Sequence, residues 1–207
     1  MELGYDPGMT TPAPRGATWD LLTEAHQALR TAVMGIPANG WDRPTPAEAW
    51  NVTQVLQHAA GDQLAYASAL TAGPKPTEDP FAPSGELQGT PAEVLEPALA
   101  ATVAAFGTVD SPDTEVAVPL PPFKLPAGVA VAAAALDAAV HAWDIAVATG
   151  QLSPLTPGLA LALRPAADAL VEPLRGFAFG PAIEPAIDAD EAESLLNFLG
   201  RKADWKA

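Results

Sequence analysis

The chain has 207 residues, 25 of them acidic against 10 basic for a formal charge of −15, and 49% are hydrophobic while none is cysteine. One domain accounts for this length, and a chain so apolar, with only 17% charged residues, buries a core rather than staying disordered. Its negative charge repels phosphate backbones and anionic membrane surfaces, and its basic residues are scattered from Arg15 to Lys206, so neither nucleic acid nor a membrane is expected as a partner. Without cysteine there is no disulfide, no thiolate ligand and no sulfur nucleophile belonging to the chain. Metal-ligating candidates reduce to carboxylates and three histidines, His26, His58 and His141.

Residues 1–16 are rich in proline and glycine and read as a flexible N-terminal segment. They lack the basic start and apolar core of a signal peptide, so a cytoplasmic location is expected. A first helix is predicted over 17–34, where Trp19, Leu22, His26, Leu29 and Val33 recur at steps of three and four. Asn51 followed by Gln54 has the pattern of a capping box and opens a second helix to about residue 72, with His58 on the flank of its apolar stripe. The proline- and acid-rich stretch 73–89 is the candidate for a mobile loop beside a site. Thr90-Pro91-Ala92-Glu93 is a strong start for a third helix, which runs to about Phe106 with a kink expected at Pro97.

Residues 114–118 read as a short strand or extended chain, because Pro119, Pro121 and Pro122 oppose a long one. The fourth helix is predicted over 126–149, stopped by Gly150, with Leu136, Val140, Trp143 and Val147 as its core face. Its apolar start, 129–135, is mostly alanine and is followed by Asp137, His141 and Asp144, so it reads as a soluble helix rather than a membrane span. A fifth helix is expected over 157–174, bent near Pro165, then extended chain over 177–187 and a short last helix over 190–199 before Gly200. No period repeats. Four main helices with proline-rich joints predict an all-α fold, a four-helix bundle over 17–174, with short additional C-terminal elements over 175–207 packed on it.

On the fourth helix Asp137, His141 and Asp144 stand at i, i+4 and i+7, one residue out of phase with the core face. At that spacing the Cβ atoms of Asp137 and His141 are about 5–6 Å apart, close enough to share one ion. If the second and fourth helices are neighbours, His58 joins them, and two imidazoles with one carboxylate are the donor set that leaves zinc an open position. Spacing alone more often describes a solvated acid–histidine pair than a metal site. His26 lies in an apolar stripe and reads as a hydrogen-bonded core histidine, with an orienting or fourth-ligand role as the alternative. Asp144 reads as an orienter of a ligand, and Asp62, one turn after His58, as a mostly solvated residue that could line a pocket. Trp50 and Trp143 read as core. No serine sits in a nucleophile elbow and no glycine-rich loop suits a phosphate.

The run Leu136-Asp137-Ala138-Ala139-Val140-His141-Ala142-Trp143-Asp144-Ile145-Ala146, with Ala148-Thr149-Gly150, resembles the signature of the mycothiol-dependent maleylpyruvate isomerase N-terminal domain family. This is an actinobacterial group within the DinB-like metal-binding four-helix superfamily. Trp50-Asn51-Val52-Thr53-Gln54-Val55-Leu56-Gln57-His58 is similar to the family's tryptophan-led helix start ending in a ligand histidine. Phe179-Gly180-Pro181, Leu195-Leu196-Asn197-Phe198-Leu199-Gly200-Arg201 and Trp205 resemble the end of single-domain members.

The resemblance implies a DinB-like bundle with a divalent metal, zinc first and nickel second, on His58, Asp137 and His141; Asp62, Asp144 and His26, by their own positions, are the candidates to stand behind them. It implies mycothiol or a similar low-molecular-weight thiol as cosubstrate, which fits a chain with no cysteine. The expected function is a metal- and thiol-dependent transferase or isomerase acting on a small electrophile, as a monomer or homodimer. Two alternatives stand beside it: a zinc hydrolase with Asp144 or Asp62 as base, and a non-catalytic metal or small-molecule binding protein. Two departures are visible. Asp137 stands where the isomerase carries glutamate, and the isomerase has an additional C-terminal domain that supplies substrate-binding residues.

Overall fold

A computed structural model describes residues 15–206, with side chains from Trp19 onward. Residues 1–14 of the segment expected to be flexible lie outside the described residues. The first two long helices are α1 (Arg15–Met34) and α2 (Val52–Thr71). The Asn51 side chain accepts from the Gln54 amide while the Gln54 side chain accepts from the Asn51 amide, the reciprocal capping that the sequence predicts. Thr90 and Glu93 do the same for α3 (Pro91–Gly107), and Pro97 lies inside that helix without ending it.

A small antiparallel hairpin follows, β1 (Glu115–Ala117) paired with β2 (Lys124–Pro126). The sequence indicates β1 but not β2. The prolines between them occupy the turn rather than a strand, and Pro126 looks from sequence like a helix start. α4 (Ala127–Thr149) begins one residue later than expected and ends at Gly150 in the left-handed conformation, φ 78°.

α4 packs against α1, α2 and α5 (Pro157–Leu170), while α3 packs on α2 and touches α1, which gives the all-α DinB-like bundle. Of the 23 residues of α4, 18 are buried, so it has no solvated face. The predicted core face is thus only part of what it buries, and Val147 within that face is half-buried. Its alanines, Ala130, Ala134, Ala138 and Ala142 among them, are fully buried and let neighbouring helices approach closely. α4 is long and apolar enough to cross a membrane, but 83% of that apolar window is buried inside the bundle. Around it sit Leu29, Val55, Leu56, Leu99 and Phe106, all fully buried, each worth ~1.5–3 kcal/mol in removal from water.

The helix expected over 157–174 breaks at Val171 into α5 and a single 3₁₀ turn, Glu172–Leu174. Pro173 is the cause: it has no amide to donate, and its ring disfavours helical backbone at the residue before it. The segment after it carries no regular strand and is tied down by Arg175, which donates to the Gly180 and Phe198 carbonyls. α6 (Glu191–Phe198) ends in a Schellman turn: Gly200 donates to the Asn197 carbonyl and Arg201 to the Leu196 carbonyl. Gly200 has φ +82°, and a Cβ there would lie 3.0 Å from the Gly180 backbone. Both the turn and the close approach require glycine, and together they aim Arg201 back at α4.

Candidate metal centre

α2 and α4 are neighbours, and they bring His58, Asp137 and His141 together with one donor atom from each within 4.8 Å of the others. Asp137 Oδ1 is 3.4 Å from His58 Nε2 and 3.3 Å from His141 Nε2. The shorter arm of aspartate therefore reaches both imidazoles. All three groups are shielded, with side-chain exposures of 6%, 16% and 7% for His58, Asp137 and His141.

The outer nitrogens of the two histidines are both occupied. His58 Nδ1 donates to the Pro80 carbonyl at 2.8 Å. A carbonyl only accepts, so Nδ1 carries a hydrogen and Nε2 is the ring nitrogen that faces Asp137. His141 Nδ1 donates to Asp144 Oδ2 at 2.9 Å. Asp144 is fully buried and also accepts from Arg201, Nε to Oδ1 at 2.9 Å and Nη2 to Oδ2 at 2.8 Å. A carboxylate or carbonyl behind each imidazole fixes ring orientation and raises donor strength, the arrangement found behind metal-bound histidines. Asp137 Oδ2 is buried with no hydrogen-bond partner among the described residues. Two inward imidazole nitrogens and an aspartate with an orphaned oxygen form a donor set that fits a divalent cation.

Electrostatics bind these groups into one unit. Burial pushes the Asp137 carboxyl up, but His141 and His58 beside it outweigh burial and hold it well below the usual carboxylate range. For His141, burial favours the neutral ring, yet Asp137 and Asp144 reverse this and raise its pKa to about 9. Arg201 and His141 likewise overcome burial at Asp144 and keep it low. Asp62 goes the other way: burial first, then the Asp137 charge, push it well above the usual range.

A cavity of about 620 Å³ opens beside these donors, walled by α2, α4, the 73–89 loop and the C-terminal segment. Asp62 lines it and is buried, 6% exposed, so the expectation of a mostly solvated residue is corrected: the helix packing that buries His58 also covers the next turn. Asp144 is corrected as a candidate hydrolytic base, since both its oxygens are committed to Arg201 and His141 and none of it is exposed. His26 lies in the core, 1% exposed, its Nε2 2.9 Å from Gln63 Oε1, while Gln63 Nε2 donates to the Ala134 carbonyl. Burial lowers its pKa to about 4. Its Nε2 therefore donates to Gln63, and its Nδ1 has no partner among the described residues.

The 73–89 loop lies beside the site as expected, but it is pinned rather than loose. Gln57 alone makes four hydrogen bonds to it, to Glu78, Ser84, Glu86 and Gly85, and Gln54 adds one to Pro83. Trp50 packs its ring on His58 at 4.5 Å, so it belongs to the site as well as to the core edge. Sequence does not point to Pro80 or Phe81, and it marks Arg201 only as the end of a run resembling single-domain members, with no role at the site. Arg201 lies 57 residues from its partner, and Pro80 acts through a backbone carbonyl that any residue carries.

The donors lie within the part of the chain that matches a known family. Residues 22–146, which include all three donors, match the description "Mycothiol maleylpyruvate isomerase N-terminal domain". The chain belongs to that family. The match to the mycothiol maleylpyruvate isomerase N-terminal domain ends within α4, leaving α5, α6 and Arg201 beyond it. Two uncharacterized proteins of Mycobacterium tuberculosis, MT0763 and Rv0738, from two strains, are each 30% identical over 187 residues, 86% of this chain and 93% of theirs. These relatives of the family member described here are actinobacterial. No solved structure matches the chain.

Proposed function

We propose that the protein is a metal-dependent enzyme that uses a mycothiol-like thiol to transform a small electrophile, as a transferase or isomerase. The observation that carries this reading is the orientation of His58 and His141, each with Nδ1 held by an acceptor outside the site and Nε2 facing Asp137. A divalent cation, zinc before nickel, would supply Lewis acidity there, lowering the pKa of a thiol that reached its open position. Family membership and the absence of any cysteine support a sulfur brought from outside.

In this reading Asp137 offsets the cation's charge, while Asp144 and Pro80 keep the imidazoles turned inward. Adding a thiol across an electrophile joins sulfur to carbon and passes the thiol's proton to the substrate. Asp62 is the buried acid on the cavity wall that can carry this proton. His26 stays behind the site as a core group. The protein works in the cytoplasm on small molecules, as a monomer or homodimer.

The test is cobalt-substituted protein titrated with mycothiol. The proposal expects the visible spectrum to change as the thiol binds, and an electrophile to turn over only when thiol is present. An unchanged spectrum together with thiol-independent hydrolysis would instead favour the hydrolase reading, with Asp62 as its base. An unchanged spectrum with no turnover would favour a binding protein.

A further inference from the structure

The strip of α2 that carries His58 continues past the donors. Asp62 and Tyr66 follow His58 at four-residue steps and share its side of the helix. α4 runs antiparallel to α2: the His58 and His141 rings lie 4.7 Å apart, and farther along α2 Gln63 donates to the Ala134 carbonyl. Asp137 therefore stands level with the Asp62 turn and Ala133 with the Tyr66 turn, and all of these lining residues border the cavity of about 620 Å³.

Tyr66 is 8% exposed and packs its ring against Phe106, with centroids 6.4 Å apart, so the core sets its orientation. Its hydroxyl has no hydrogen-bond partner among the described residues. Nor is that oxygen sealed in the core, since the enclosed side-chain atoms left without a partner are His26 Nδ1 and Asp137 Oδ2. It opens on the cavity that Tyr66 lines, where Ala133 ends at its Cβ and leaves room for a ligand atom. A phenol kept unpaired at a shielded wall is costly unless a ligand completes it. Burial first, then Asp62 and Asp137, push this phenol well above its ordinary value, so it is an O–H donor at neutral pH.

We propose that Tyr66 is the hydrogen-bond donor for a carbonyl oxygen of the electrophile, held at the end of the cavity beyond Asp62 and Asp137. The inference rests on the reading of the cavity as the substrate site and narrows the electrophile to a carbonyl compound. When the thiol's sulfur bonds to the carbonyl carbon, or to a carbon conjugated with it, the displaced π pair arrives on the carbonyl oxygen. The proton lost by the thiol ends on that oxygen or on the α-carbon. Tyr66 keeps its own proton and stabilises the charge while it resides on the oxygen.

The probe for the test is para-dimethylaminoacetophenone, an unreactive ketone whose absorption moves to longer wavelength when its carbonyl oxygen accepts a hydrogen bond or a metal ion. It is titrated without thiol into the full-length protein, zinc-loaded and metal-free, as wild type and as Tyr66→Phe. The substitution removes one oxygen that bonds nothing within the fold, so the unfolding midpoint should hold. In both metal states the bound probe is expected to absorb at longer wavelength in wild type than in Tyr66→Phe, which should bind it about five-fold more weakly. The isopropenyl analogue, with a methylene in place of the carbonyl oxygen, is expected to bind the two proteins alike. The same band or the same affinity in the two proteins, a difference seen only with zinc, or no binding by wild type would overturn the inference. Because the metal-free titration needs neither zinc nor thiol, a failure to bind metal or thiol would sink the proposed function while the role of Tyr66 is decided separately.

Discussion

His141 concentrates the chemistry of the site in one ring. It sits between Asp137 and Asp144, and the two carboxylates raise its pKa to about 9 from an ordinary 6.5. In metal-free protein the ring is therefore protonated at neutral pH, and its contribution to stability is full below about pH 6.5 and is lost as pH rises through about 9. Asp137 and Asp144 have depressed values, so their contributions are present above 3.8 and fade as pH falls below it. A metal donor must be unprotonated, so a divalent ion entering the site displaces the His141 proton. Thermal melts of metal-free protein should show the unfolding midpoint dropping between pH 6.5 and 9, and zinc titration at pH 7 should release a proton, seen by calorimetry in buffers of different ionisation enthalpy. A flat pH profile with no proton release would show that His141 does not bridge the two carboxylates.

Helices and caps are the elements that sequence renders best, because their causes are local. The capping pairs Asn51–Gln54 and Thr90–Glu93 lie three residues apart, and the spacing of Asp137 and His141 fixes their common strip on α4 whatever surrounds it. β2 is local to β1 but masked by the prolines around it, and the rest of what sequence hides depends on contacts distant in the chain: the burial of α4 on every side, and Pro80 and Arg201 behind the donors. Chief among these is the turn after α6, where Gly200 directs Arg201 onto Asp144 and Asp144 orients His141. Arg201→Ala should weaken zinc binding by roughly 10–100-fold, the usual effect of losing a group behind a metal ligand. It should also destabilise the fold by about 3–5 kcal/mol, because Asp144 is left as a buried charge short of its partner. The double variant Arg201→Met, Asp144→Leu should regain stability without regaining affinity. Zinc calorimetry and urea unfolding measure the two effects separately, and unchanged affinity in Arg201→Ala would show that the C-terminal turn does not support the site.

At the scale of the whole molecule, the charge of −15 locates no site, since the decisive carboxylates are a few buried ones among 25 acidic residues. The donors come from α2 and α4, their supports from the 73–89 loop and the C-terminal turn, so the site forms only when distant parts of the chain have folded together. An ion bound to that assembly and not to the unfolded chain stabilises the native state by mass action, about 2.7 kcal/mol at a hundred times its Kd. The most direct measurement is the metal content of protein purified without an affinity tag, set beside the unfolding midpoint with and without added zinc, for wild type and His141→Ala. A site on His58, Asp137 and His141 predicts one divalent ion per chain and a zinc-dependent rise in the wild-type midpoint, both lost in His141→Ala. Wild-type protein that stays free of metal, with a midpoint indifferent to zinc, would contradict it.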